Sequence, residues 1–184
     1  MTLLKISKMG HPVLWRKADP VDNPSSPDVY KLVENMIETM NDAGGTGIAA
    51  PQVYESQRVF IFFVSKTRAQ SEAERLGLEL EGDGSVPLTV LINPEIDFIG
   101  EEMDESWEGC LSIPNLMGKV PRYRSICYRG YGLDGKLIER DASGFHARVV
   151  QHEYDHLDGI LYPERMTDMR QLIFSSEVAH QKPD

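Results

Sequence analysis

Apolar residues at Val29, Leu32, Val33, Met36, Ile37 and Met40 recur at three- and four-residue intervals, the spacing of one buried helix face. Ser26-Pro27-Asp28 places a capping hydroxyl and a first-turn proline ahead of them, and Gly44-Gly45 ends the run. Gly45 to Gln52 then forms a glycine-rich loop. The continuous apolar stretch Val59 to Val64 (VFIFFV) predicts a buried strand, and Thr89 to Ile92 (TVLI) predicts another. Between them, residues 65–87 are polar, charged and glycine-containing near their end. They are expected to form a surface insertion, an inert excursion in preference to a substrate lid.

Further strands are predicted over Ile96 to Glu102, Lys119 to Tyr131 and Lys136 to Glu139, with Leu133-Asp134-Gly135 turning the chain between the last two. A helix follows from about Ser143 to Asp158 and stops at Gly159. On it Phe145, Val149, His152 and His156 form one stripe that begins apolar and ends in two histidines, so the histidines face inward. Repeats, low-complexity segments and linkers are lacking. The chain reads as a single α+β domain over residues 1–184, with mixed, mainly antiparallel sheets packed around that central helix and a polar tail at 166–184.

Composition narrows the function. The 184 residues are 41% hydrophobic and 26% charged, ordinary for a globular protein with a real core. A net charge of -10 argues against a general nucleic-acid binder, because phosphate backbones reward a basic surface, and no direct sequence-specific nucleic-acid partner is expected. No signal peptide and no apolar run of membrane-spanning length is evident, so no membrane partner is expected. Cys110 and Cys127 are too few for a disulfide scaffold and point to a reducing, cytoplasmic setting.

The candidate chemistry begins at His152-Glu153-Tyr154-Asp155-His156. Helical residues four apart stack one turn above each other, so His152 and His156 can grip one metal ion, with Glu153 placed to handle a proton. A catalytic site needs a third ligand. Downstream, Glu177 is the one tail carboxylate at a distance suited to a zinc peptidase, in a segment that looks frayed. Upstream, Cys110 lies in the turn-like Glu108-Gly109-Cys110-Leu111-Ser112, where Gly109 is expected to allow a close backbone approach. A thiolate with two imidazoles suits zinc, iron or another borderline divalent metal, and Cys110 is the preferred ligand. Cys127 reads as a small buried hydrophobe, His146 points away from the histidine face, and His11 reads as structural or exposed.

Three segments together resemble peptide deformylase: Gly45-Thr46-Gly47-Ile48-Ala49-Ala50-Pro51-Gln52, Glu108-Gly109-Cys110-Leu111-Ser112 and Gln151-His152-Glu153-Tyr154-Asp155-His156. The likeness runs from residue 10 to about 165, including Gly10 to Leu14, Asn93-Pro94-Glu95 and Leu157-Asp158-Gly159. It implies a hydrolase that removes the formyl group from the N-terminal formylmethionine of new proteins. By resemblance Cys110, His152 and His156 bind one divalent metal, ferrous iron natively, with zinc, nickel or cobalt able to occupy the site. It further implies Glu153 as the proton-transfer group, and Gln52 with the Leu111 backbone N–H as donors to the oxyanion. Gly45 and Gly47 would let an extended substrate lie against the chain, and Ile48 and Val149 would line the methionine pocket.

The implied partners are N-formylmethionyl peptides and nascent chains. Transient ribosome contact fits that activity, although the tail lacks the long basic helix some bacterial members use. The implied compartment is a bacterial cytoplasm, with a processed organellar form as the alternative. Thr46 stands where the family often has an apolar residue, and Trp107 where many members have an acidic or amide side chain. Two rivals remain at this level: a zinc peptidase using His152, His156 and Glu177, and a non-catalytic fold stapled by metal.

Overall fold

The computed structural model describes residues 2–181; the last three positions of the expected tail, 182–184, lie outside that range. In chain order, helix α1 (Pro27–Asp42) is followed by strands β1 (Gly47–Ala49) and β2 (Val59–Val64), then helix α2 (Lys66–Leu76). Strands β3 (Val86–Phe98), β4 (Met103–Cys110), β5 (Ile113–Tyr123), β6 (Ser125–Tyr131) and β7 (Leu137–Ser143) come next. Helix α3 (Gly144–Leu157) and the short strand β8 (Ile173–Phe174) complete the set. Five strands form a sheet in the order β1-β2-β3-β6-β7 and three form a second in the order β4-β5-β8, every neighbouring pair antiparallel. This is the expected α+β architecture.

The VFIFFV run has no polar alternation because both faces of β2 are covered. Phe60, Phe62 and Val64 pack with Ala147, Val149, Val150 and Leu157 of α3, while Val59 and Ile61 pack with Val33, Met36 and Met40 of α1. Each fully buried Phe or Ile contributes roughly 1.5–3 kcal/mol by leaving water. Helix α1 begins as predicted, with the Ser26 hydroxyl accepting from the Val29 N–H at 3.3 Å. Helix α3 is central: ten of its residues, Ala147 to Glu153 and Asp155 to Leu157, are buried. Gly159 ends it at φ 73°, where a Cβ would lie 2.7 Å from the Trp15 backbone.

Several elements differ from expectation, and the separately predicted strands 89–92 and 96–102 belong to the single strand β3, which ends at Phe98. Residues 65–87 contain α2, capped by the Ser65 hydroxyl on the Arg68 N–H and stopped by Gly77. Its buried face consists of Ala69 and Ala73, too small to register as an apolar stripe. The strand expected over Lys119 to Tyr131 is two strands in different sheets. The chain breaks at Arg124, whose N–H donates to Glu102 and whose carbonyl accepts from Gly144. The tail is not frayed where it is described: β8 pairs with Leu116 and Met117 of β5.

Candidate metal centre

Helix α3 stacks His152 and His156 with ring centroids 5.0 Å apart. Strand β4 ends in an irregular register at Gly109 and Cys110, which delivers the Cys110 Sγ to within 3.3 Å of His156 Nε2. The ligand atoms of Cys110, His152 and His156 lie within 4.8 Å of one another, and they are the one such group among the described residues. Glu177, the third ligand of the rival peptidase reading, is exposed in a 3-10 turn and accepts from the Ser176 hydroxyl. It is outside the cluster, which corrects that alternative.

The ring orientation of His152 is fixed from behind. Its Nδ1–H donates to Glu108 Oε2 at 2.8 Å, leaving Nε2 for a ligand. Glu108 is itself clamped by Arg122 (2.9 and 3.0 Å) and by Arg148 (2.9 Å), all three side chains being nearly fully buried. Burial opposes the Glu108 charge, but Arg122 and His152 overcome it and hold the carboxyl well below its usual range. Burial likewise opposes a charged His152, yet hydrogen bonds to Cys110 and Glu108 keep that imidazole well above its ordinary value. His156 is pushed well below by burial and by the neighbouring positive charges. A thiol and two imidazoles whose ligand atoms converge fit a divalent cation, and the donor set suits iron or zinc.

Glu153 sits beside this cluster with Oε2 buried and without a hydrogen-bond partner. Burial pushes its carboxyl up to about 7. Room for it comes from Gly47, where a Cβ would lie 2.8 Å from Glu153 Cδ. Gln52 is 1% exposed; its Oε1 accepts from the Ala49 N–H at 2.8 Å, which turns Nε2 toward Ser112 Oγ (3.1 Å) and Cys110 Sγ (3.4 Å). Leu111 follows Cys110 in the turn between β4 and β5, and a Cβ on Gly45 would meet its Cδ1 at 2.9 Å. A cavity of about 670 Å³ opens beside these groups, bordered by Gly45, Gly47, Gln52, Cys110, Leu111, Val149, His152 and Glu153.

The polypeptide deformylase family model matches residues 3–172. The chain belongs to that family. It is 47% identical over 164 residues to peptide deformylase 1 of Bordetella pertussis, covering 89% of this chain and 88% of that protein. Among solved structures, a Met-Ala-Ser-bound peptide deformylase from Acinetobacter baumannii is similar at a TM-score of 0.76 and 36% identity, covering 90% of this chain and 99% of that one. A peptide deformylase from Ehrlichia chaffeensis gives 0.80 at 29% identity, covering 92% and 91%.

Within this deformylase, Ile48 is not on the cavity. Strand alternation turns its neighbours Gly47 and Ala49 toward α3 and sends Ile48, fully buried, into the core beneath α1. Gly109 allows no special approach either, since a Cβ there would meet nothing closer than 3.7 Å. His146 accepts from or donates to the Tyr128 hydroxyl at 3.1 Å, and both cysteines are free. The groups missed from sequence are Glu108, Arg122, Arg148 and Asp155. Asp155 binds Arg122 at 2.5 Å and Arg165 at 2.7 Å. For Arg148 and Asp155 a signal was present, charged residues on a helix whose apolar and histidine positions already require burial; Glu108 and Arg122, on β4 and β5, carried none.

Proposed function

We propose that Cys110, His152 and His156 hold one divalent metal ion, natively ferrous iron, and that Glu153, Gln52 and Leu111 act beside it. Peptide deformylases hydrolyse the formyl amide of N-formylmethionyl peptides, and that is the function of this chain. Zinc, nickel or cobalt could substitute at the same thiolate and imidazole donors. Held by Cys110, His152 and His156, such an ion would supply Lewis acidity. Glu153 takes the proton of the attacking water and delivers it to the amine nitrogen as the C–N bond breaks, so formate and a free N-terminus leave together. The observation carrying this reading is the buried, unpartnered Glu153 carboxyl one residue from His152 and at the cavity wall.

Gln52 is pre-aimed by the Ala49 N–H, so its amide can donate to the developing oxyanion together with the Leu111 N–H. One such donor is typically worth roughly 3 kcal/mol in the transition state. Strand β1 is the outer strand of its sheet, with β2 on one side only. An extended substrate can add along the open edge at Gly45 to Gly47. Val149, with Leu111, Ile113 and Phe145, supplies apolar wall for the methionine side chain. No helix is long and apolar enough to cross a membrane. Two free cysteines, one of them a metal ligand, support work on nascent chains in a reducing cytoplasm.

Anaerobically prepared, iron-loaded protein is expected to release formate from formyl-Met-Ala-Ser, and Glu153→Ala to keep its metal and lose turnover. A fully metal-loaded wild type that releases no formate would overturn the reading.

A further inference from the structure

The chain has eleven arginines. Nine have a carboxylate oxygen within 4.0 Å, and among the described residues Arg68 and Arg140 do not. An arginine with no carboxylate oxygen within 4.0 Å is notable in a protein of net charge -10. Arg68 also has a particular place. It is exposed on the first turn of α2, borders the active-site cavity, and holds its guanidinium 5.4 Å from the Phe145 ring centroid. The aromatic face orients the cation without neutralising it.

Helix α2 is held firmly in that position. Ala69 and Ala73 pack into the core. Farther along, Arg75 binds both Glu72 and Asp104, and Asp104 also accepts from Arg148 of α3 at 2.8 Å. Of the other cations at the cavity, Arg148 is buried and paired with Glu108 and Asp104, and Lys8 donates to the Leu111 carbonyl at 2.8 Å. The carboxylates on the cavity wall are Glu108 and Glu153, both deeply buried, so among the described residues no exposed carboxylate borders the cavity. From His152 to Phe145 the helix spans seven residues, about 10 Å at 1.5 Å per residue. An extended peptide covers that length in about three residues.

We infer that Arg68 is a specificity residue that pairs with an acidic side chain about three residues into the formylated substrate. The inference rests on the deformylase reading and refines it. The ion pair forms at a wetted rim, so its effect is a preference and not a requirement. It acts on substrate association and is screened by salt.

The test compares kcat/KM for two C-terminally amidated peptides, formyl-Met-Ala-Glu and formyl-Met-Ala-Lys, on the iron-loaded full chain. Wild type is expected to favour the glutamate peptide by about three- to fivefold, with the ratio moving toward one in 0.5 M salt. Arg68→Lys should keep the preference and Arg68→Glu should reverse it. A purely structural Arg68 would change both substrates alike. An unchanged ratio in Arg68→Glu, with formate still released, overturns the inference. Absence of formate from either peptide in wild type would instead overturn the deformylase reading.

Discussion

Gly47 leaves the space that Glu153 fills: a Cβ at position 47 would sit 2.8 Å from Glu153 Cδ. A residue on the sheet edge thus sets the position of a carboxyl on the central helix. Gly47→Ala is expected to lower kcat by at least about tenfold by displacing that carboxyl, while metal content per chain stays at the wild-type value. Formate release alongside elemental analysis checks this. Lost metal with the residual turnover explained by occupancy would contradict it.

Glu153 is kept for chemistry at a cost in stability, since its Oε2 is buried with no partner. Glu153→Gln should reduce formate release by about 10² to 10⁴. Its melting temperature should nevertheless be no lower than that of wild type. Calorimetry on metal-loaded proteins decides, and a clear drop in Tm would show that the carboxyl has a stabilising partner.

Glu108 joins His152 to two buried arginines, so removing it leaves Arg122 and Arg148 without their shared carboxylate. Glu108→Ala is expected to lose about 3–5 kcal/mol in urea unfolding, with weakened metal binding because His152 loses its orienting acceptor. A loss under about 1 kcal/mol would mean that Asp104 and Asp155 suffice to neutralise those arginines.

His146 gives a pH-dependent term separate from the metal ligands. Burial pushes its pKa down from 6.5 to about 4. Between those values the unfolded chain binds a proton that the folded one does not, so stability falls as pH drops through that window. The contribution is complete above about pH 6.5 and gone near pH 4. His146→Gln should flatten this part of the profile. The wild-type loss should exceed the variant's by on the order of 2 kcal/mol between pH 7 and pH 4, discounted for partial exposure. Parallel profiles would contradict the assignment.

Metal removal should lower stability by linkage. At a free ion concentration a hundredfold above Kd, binding to the folded state adds about 2.7 kcal/mol, or roughly 5–10 °C in Tm for a chain of this size. A chelator is expected to abolish that increment in wild type and to leave Cys110→Ser unaffected. An equal chelator shift in both would show that Cys110 is not a ligand.

Helix α1, strand β2 and helix α3 were legible because each carries a long, coherent apolar pattern; His152, His156 and Cys110 were legible because their chemistry is rare. Helix α2 escaped because alanines bury it, and Ser65 and Gly77 were its only plain signals. The break at Arg124 escaped because the residues on both sides share strand character, while the hydrogen bonds that divide them come from Glu102 and Gly144. Ile48 was placed on the wrong side because a glycine-rich segment read as loop carries no expectation of alternation; as β1 it has one. The ionic cluster around Glu108 joins residues from β4, β5 and α3, a meeting that no local pattern encodes.

The cavity takes its walls from Ile6 through Ser175, with β8 delivering the last of these onto β5. During synthesis the thiol of Cys110 emerges before either histidine, and the far wall is laid down after both. The site is therefore incomplete until residues on both sides of the metal-binding helix have been made.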